Sequence, residues 1–314
     1  MRIRPWLLAG AAIVLLAGCG GGDASPALPG PISGGGTPTP SPSPSPTPSP
    51  TPPPTTVAFA EEFNAAQLNT AIWKAEGPNF WVNNELQAYV NSPDTIALRS
   101  NVAGADGGVL VLKPKWAPGL DPRSDRRADF QSGRIDTRGT YDFTYGRAEA
   151  RIRMTEFTGV WPAFWLLGNG TWPATGEIDI MEFVGEPGWI SAALHGSGYS
   201  GANSLSRRYN FPAGVRASDW NIYAVEWSRT GIVFSVNGNE YHRVTRSDVE
   251  RADPWAFDTP KHIILNFALG GDYPFGVNGV MVPYRGLPEA SVDAIKAGQA
   301  EMLVDWVRVT PPPQ

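Results

Sequence analysis

One eight-residue stretch limits the folds open to this chain more than any other: Gly176-Glu177-Ile178-Asp179-Ile180-Met181-Glu182-Phe183. It sets three carboxylates among apolar residues. On a helix, at roughly 100° per residue, the acids would scatter around the axis. On a plain strand Glu177 and Asp179 share a face, and Glu182 falls on the opposite one. A β-bulge inserts one extra residue and so reverses the phase of everything after it. A bulge between Asp179 and Glu182 puts all three acids on one face and sends Ile178 and Phe183 into a core. The stretch therefore predicts a bulged strand in a sheet with one buried face. Bulges occur often beside active sites, where a side chain must be re-aimed.

The rest of the globular part carries the same signature of short strands divided by turn residues. The expected strands are Val109–Lys113, Ser132–Thr137, Gly146–Met154, Trp161–Leu167, Gly176–Phe183, Ile190–Leu194, Asn221–Trp227, Ile232–Val236, Glu240–Val244, His262–Leu269 and Met302–Val309. Asn237-Gly238 joins two of them as a tight hairpin. Arg147 to Met154 alternates polar with small or apolar residues, as a strand with one wet face does. Two short helices are expected, near Asp248–Ala252 and Pro288–Ala297. The pattern is all-β, two packed antiparallel sheets. No fixed-period repeat, phosphate-binding glycine loop or Cys/His metal pattern is present.

The N-terminal part reads differently. Residues 1–19 have the form of an export signal: Arg2 and Arg4, then an apolar run from Trp6 to Ala17 too short to span a bilayer. Leu16-Ala17-Gly18-Cys19 resembles a bacterial lipobox, and Cys19 is the lone cysteine of the chain. Lipidation of Cys19 is the expectation, with the protein anchored through it at the cell surface, on the outer membrane in a Gram-negative host. Residues 20–56 form a Pro/Ser/Thr-rich spacer with 13 of the 31 prolines, a composition that favours extended polyproline II and cannot bury a core. Residues 57–314 remain for one β-sandwich domain. A net charge of −5 argues against a nucleic-acid partner. A monomer is expected. Twelve tryptophans supply both core material and candidate stacking platforms.

Crowded carboxylates divide labour by protonation. Like charges in one site disfavour ionisation, so one acid keeps its proton while a neighbour stays charged. That suits a retaining glycosidase, which needs a nucleophile and an acid/base about 5–5.5 Å apart. Glu177 and Glu182 have Cα atoms roughly 13 Å apart on a straight strand, a gap that sheet curvature and two long side chains narrow. A calcium site or a solvated acidic face fits the same three acids.

Together with its flanks the motif resembles family 16 of the glycoside hydrolases, in particular the laminarinase-like bacterial members. The resemblance rests on Trp161-Pro162-Ala163-Phe164-Trp165-Leu166 before Glu177–Glu182, on Glu61-Glu62-Phe63-Asn64, Asn83-Asn84-Glu85-Leu86-Gln87, Ser132-Gly133-Arg134-Ile135, Tyr145 to Arg151, Asn266 to Gly271, and Val304 to Val309. It implies a concanavalin A-like jelly-roll sandwich with a concave substrate cleft, and retention of configuration. It assigns Glu177 as nucleophile, Glu182 as acid/base and Asp179 as their partner. It places Trp161 and Trp165 as cleft aromatics, with Asn84, Glu85, Arg134 and His195 as further substrate-binding groups. It implies no cofactor for catalysis and allows one structural Ca²⁺ held by Glu62, the Gly108 carbonyl and Asp305.

The activity so implied is endo-hydrolysis of β-1,3-glucan of the laminarin type. Alternatives are a β-1,3-1,4-glucanase, a marine galactan hydrolase of the same family, a non-catalytic carbohydrate-binding lipoprotein, or a structural envelope lipoprotein. Two departures stand out: Gly270-Gly271-Asp272-Tyr273-Pro274 has Tyr where the family often has Trp, and Phe275–Gln299 is long.

Overall fold

The computed structural model describes residues 57–119 and 129–312; the signal, the spacer and Cys19 lie outside the described residues. The early strands are short: β1 (Phe59–Glu61), β2 (Lys74–Ala75), β3 (Gln87–Tyr89), β4 (Ile96–Arg99), β5 (Val109–Leu112), β6 (Lys115–Trp116), β7 (Phe130–Ser132), β8 (Arg134–Asp136) and β9 (Asp142–Phe143). The longer body follows: β10 (Gly146–Met154), β11 (Val160–Gly168), β12 (Glu177–Glu182), β13 (Trp189–His195), β14 (Arg207–Asn210), β15 (Asn221–Trp227), β16 (Gly231–Val236), β17 (Asn239–Thr245), β18 (Lys261–Leu269) and β19 (Met302–Thr310). Three short helices interrupt it, α1 (Arg246–Val249), α2 (Asp272–Asn278) and α3 (Glu289–Lys296).

Two large antiparallel sheets form the sandwich. The back sheet runs β17-β16-β15-β10-β19-β5-β4, with β1 on β19. The cleft sheet runs β14-β13-β12-β11-β18-β8-β2, with β9 on β18. A small third sheet, β3-β7-β6, flanks them. The alternation expected along Arg147–Met154 is the alternation found: Ala148, Ala150, Ile152 and Met154 are buried, and the charged residues between them are half-buried. The core between the sheets takes Phe164 and Leu166 from β11, Ile178 from β12, Ile190, Ala192 and Leu194 from β13, and Ile263, Leu265 and Phe267 from β18. The residues alternating with these form the opposite face of the same sheet.

Three expectations need correction. Ser132–Thr137 is two strands, because the chain changes sheet at Gly133: β7 pairs with β3 and β6, and β8 with β18 and β2. Gly133 lies so close to the Thr95 carbonyl that a Cβ would sit 2.4 Å from it, so the crossing needs glycine. The first helix starts earlier than Asp248, because the Thr245 side chain accepts from the Asp248 backbone N–H and caps it. The α2 helix was not expected at all, since it carries Pro274 and Gly276.

Candidate active site

The bulge is present, and it explains how the sequence serves both faces. Along β11, Trp165 pairs with Asp179 and Phe164 with Met181, so Ile180 is the extra residue. Along β13, Asp179 faces Ala193 and Glu182 faces Ser191, which shows the same one-residue surplus. Ile180 and Met181 are consecutive, yet both are buried in the core. The two apolar side chains absorb the phase change. Glu177, Asp179 and Glu182 then share the cleft face with Trp161, Ala163, Trp165 and Asn266, none of which belongs to the core cluster.

Each glutamate is met by an indole. Trp172 Nε1 donates to Glu177 Oε2 at 3.0 Å, and Trp161 Nε1 donates to Glu182 Oε1 at 3.1 Å. His195 pairs in register with Glu177. Its Nε2 lies 3.0 Å from Asp179 Oδ2 and 3.6 Å from Glu177 Oε1. The N–H is not aligned on Asp179 Oδ2, which has no hydrogen-bond partner, so this contact is chiefly electrostatic. The Gly201 backbone N–H donates to His195 Nδ1 at 3.1 Å. That bond leaves the proton of the neutral ring on Nε2, the nitrogen facing the acids.

Burial governs the acids' protonation. It raises all three carboxyls well above the ordinary range, and the Asp179 charge pushes Glu177 and Glu182 further. His195 pulls both glutamates back, with Trp172 assisting at Glu177 and Trp161 at Glu182. Three anions cannot share so dry a site, so the group retains protons and titrates as a unit.

The other expected binding residues are placed less directly. Trp165 donates from Nε1 to Asn266 Oδ1 at 2.7 Å, and Asn266 Nδ2 donates to the Tyr89 hydroxyl at 3.1 Å. Glu85 ends this chain. It is buried, and it accepts from Tyr89, from Gln87 at 2.7 Å and from Asn83 at 3.3 Å. Its carboxyl supports Trp165 through Tyr89 and Asn266. Asn84 is exposed, in the left-handed region at φ 54°, and donates to Asp272 Oδ2 at 2.9 Å. Arg134 is buried, with Nε and one terminal nitrogen unpartnered, and its guanidinium lies over the rings of Trp165 (4.9 Å) and Phe80 (4.3 Å).

Residues to which the sequence assigned no role complete the site. Trp172 is 49% exposed, the most open of the cleft aromatics. The Trp-Pro pair five residues ahead of Glu177 was the available signal. Tyr273 packs edge-on to Trp161 and its hydroxyl pairs with Ser191 Oγ at 2.8 Å. Lys261, fully buried, donates to the Thr175 carbonyl at 2.6 Å, two residues before Glu177.

Both carboxylates expected to hold calcium, Glu62 and Asp305, have arginine partners. Arg308 bridges Glu62 through Nε at 2.9 Å and a terminal nitrogen at 3.0 Å. Arg151 pairs with Asp305, which also accepts from the Asp106 backbone N–H at 3.0 Å. A calcium ion there would have to displace two guanidinium groups, and in this arrangement the donor set does not fit the ion.

Residues 100–285 match the family model of glycosyl hydrolases family 16. The chain is 33% identical over 270 residues to a glucan endo-1,3-β-glucosidase A1 of Niallia circulans, covering 79% of this chain and 37% of that protein. It is 29% identical over 267 residues to an endo-1,3-1,4-β-glycanase, EglC, of Rhizobium meliloti, covering 80% of this chain and 53% of that protein. The chain thus spans between a third and about half of these longer relatives. Among solved structures it resembles an endo-β-1,3-glucanase from Pyrococcus furiosus, with TM-score 0.69, 34% identity, and 82% of this chain and 94% of that one covered. Sandwich, bulged acid strand and sequence agree: the chain belongs to glycosyl hydrolases family 16.

Proposed function

We propose that this hydrolase is a retaining endo-β-glucanase that cuts β-1,3-glucosidic bonds of laminarin-type polysaccharide. The observation that carries the reading is the bulge at Ile180, which turns Glu177, Asp179 and Glu182 to one face under two indole donors. Glu177 attacks the anomeric carbon as the glycosidic C–O bond breaks, and Glu182 gives its proton to the departing oxygen. A covalent glycosyl ester on Glu177 results. Glu182, now ionised, takes a proton from water, whose oxygen attacks the same carbon and releases Glu177. Two inversions return the original configuration. Asp179 and His195 tune the two glutamates: the Asp179 charge raises both carboxyls and His195 draws them back.

The open chemistry is polymer choice. The named activity of the Niallia relative supports β-1,3 linkages, and that of EglC keeps mixed β-1,3-1,4-glucan as the second reading. Reducing-sugar release across laminarin, lichenan, agarose and carrageenan, with anomeric NMR of the first product, tests both. Laminarin is expected to be cut with retention; no release from it sinks the β-1,3 assignment. Glu177→Gln and Glu182→Gln are each expected to lower kcat by roughly 10³-fold or more. Survival of hydrolysis in Glu177→Gln would remove it as nucleophile.

We further propose that Cys19 carries a lipid and that residues 20–56 hold the hydrolase off the membrane as a stalk. Cys19→Ala is expected to move the protein from the membrane fraction to the soluble one. Unchanged fractionation would refute the anchor.

A further inference from the structure

Two consecutive residues of β18 hold the loop that carries Trp172, one at each end. Lys261 donates to the Thr175 carbonyl, two residues before Glu177. His262 reaches the opposite end: its Nδ1 lies 2.8 Å from Oδ1 of Asn169, the first residue after β11. Asn169 is bound a second time by Asp142 of β9, which accepts from its Nδ2. The strand register explains the meeting. His262 pairs with Leu167 on one side and Asp142 on the other, and Asn169 follows Leu167 by two residues.

These three residues fix their own protons. A carboxylate only accepts, so Asp142 takes the amino side of the Asn169 amide and leaves its oxygen to the ring. His262 therefore donates from Nδ1, and Nε2 carries no proton. That Nε2 is buried without a partner, and the residue is 1% exposed. A buried acceptor with no donor lowers stability, so an apolar side chain would suit the fold better here. What the ring supplies, and an apolar side chain cannot, is a grip on Asn169.

Between the two grips the loop is tightly wound. The Thr175 N–H donates to the Thr171 carbonyl, the Gly176 N–H to the Pro173 carbonyl, and the Gly168 N–H to the Gly176 carbonyl. A Cβ on Gly170 would lie 2.6 Å from Thr175 Cγ2. A shift of Asn169 is then passed to Trp172, three residues on, with little slack to absorb it. Trp172 is 49% exposed, so core packing alone does not hold its indole against Glu177.

We infer that Asn169, Asp142 and His262 are positioning residues: they clamp the start of this loop and so keep the Trp172 N–H on Glu177. Each acts through Trp172 and not by touching the acids. The inference rests on the reading above in which Glu177 is the nucleophile.

The test compares variants by two readouts. In steady-state kinetics on the polymer that is cut, Asn169→Ala is expected to lower kcat/KM about fivefold and to move the acidic limb of its pH profile up, as Trp172→Phe does. The double variant Asn169→Ala/Trp172→Phe is expected to match Trp172→Phe alone, since both remove one interaction. His262→Asn keeps a donor near the place of Nδ1 and is expected to stay within about twofold of wild type, whereas His262→Leu falls with Asn169→Ala. Additive losses in the double variant, or an acidic limb that stays in place in Asn169→Ala, would overturn the clamp. The second readout needs no substrate. In ¹⁵N-labelled protein the Trp172 indole N–H, assigned by its loss in Trp172→Phe, is expected to shift and to exchange faster with water in Asn169→Ala and Asp142→Ala. Asn169 and Asp142 are exposed, so both variants are expected to fold. An indole signal identical to wild type in both would also overturn the clamp. A wild-type protein that cuts no glucan, with an indole signal that responds as expected, would remove the glucanase reading and leave the clamp on Trp172 standing.

Discussion

The indole of Trp172 reports on the proposed nucleophile. Its N–H donates to Glu177, stabilising the ionised carboxylate against the burial that favours the proton. Replacing Trp172 with Phe keeps the ring and removes the donor. The carboxyl then holds its proton to higher pH. Because a nucleophilic Glu177 acts only when ionised, the acidic limb of the pH profile of kcat/KM is expected to move up by about half a unit to one unit. A limb that stays in place would mean that another group sets it. Trp161 makes the matching contact with Glu182, the proposed proton donor. Trp172→Phe therefore isolates one half of the pair.

Lys261 is the element-scale counterpart. Its ammonium crosses from β18 to the loop before β12 and donates to the carbonyls of Thr175 (2.6 Å) and Ala256 (3.3 Å). Burial lowers its pKa from 10.5 to about 7. The folded state thus binds fewer protons than the unfolded chain between these values, and the lysine's contribution to stability rises with pH across that window. Lys261→Met removes the effect. Thermal melts should show wild type gaining, relative to the variant, on the order of 2 kcal/mol from pH 7 to 10. A difference that is flat with pH would show that the lysine stays charged in the fold. The longer strands were legible in the sequence for a plain reason. Gly146–Met154 and Asn221–Trp227 begin and end where the sequence pattern put them, because seven or nine residues suffice to display a period of two. The pairs Lys74–Ala75 and Asp142–Phe143 cannot display any period, and Arg207–Asn210 is a polar edge strand. The acids were legible as a set because a bulge was the one arrangement that united them on a strand. Glu85 was expected at the sugar, yet local sequence carries no information on whether Tyr89 and Gln87 will turn it inward. Lys261 and Phe80 escaped notice because their roles depend on residues more than fifty positions away.

At the scale of the whole domain, the back sheet is fastened by ion pairs where the family resemblance allows a metal. Arg151 with Asp305 joins neighbouring strands β10 and β19, and Arg308 with Glu62 joins β19 to the residue after β1. Asp305 is 1% exposed, so its charge needs a partner at all times. If the guanidinium groups are that partner, EDTA is expected to shift Tm by less than about 2 °C, whereas Arg151→Ala is expected to cost about 3 kcal/mol. A large drop in Tm with EDTA, reversed by calcium, would show that the ion displaces the arginines. The core itself takes up only part of the tryptophan content. Trp73 and Trp227 are fully buried, while Trp161, Trp165, Trp172 and Trp189 stand at least partly open on or beside the cleft sheet.

The extra residue at Ile180 also bears on which sequence changes this lineage can survive. Both flanking strands register against it, β11 between Phe164 and Trp165 and β13 between Ala193 and Ser191. Losing one residue from Ile180-Met181 would swing Glu182 inward and an apolar neighbour out. Gaining one would do the same. Length variation is thus barred from a six-residue window, while the loops on either side stay free to lengthen. Loops can grow, as the long segment after Gly271 illustrates, while the spacing of the acids cannot drift.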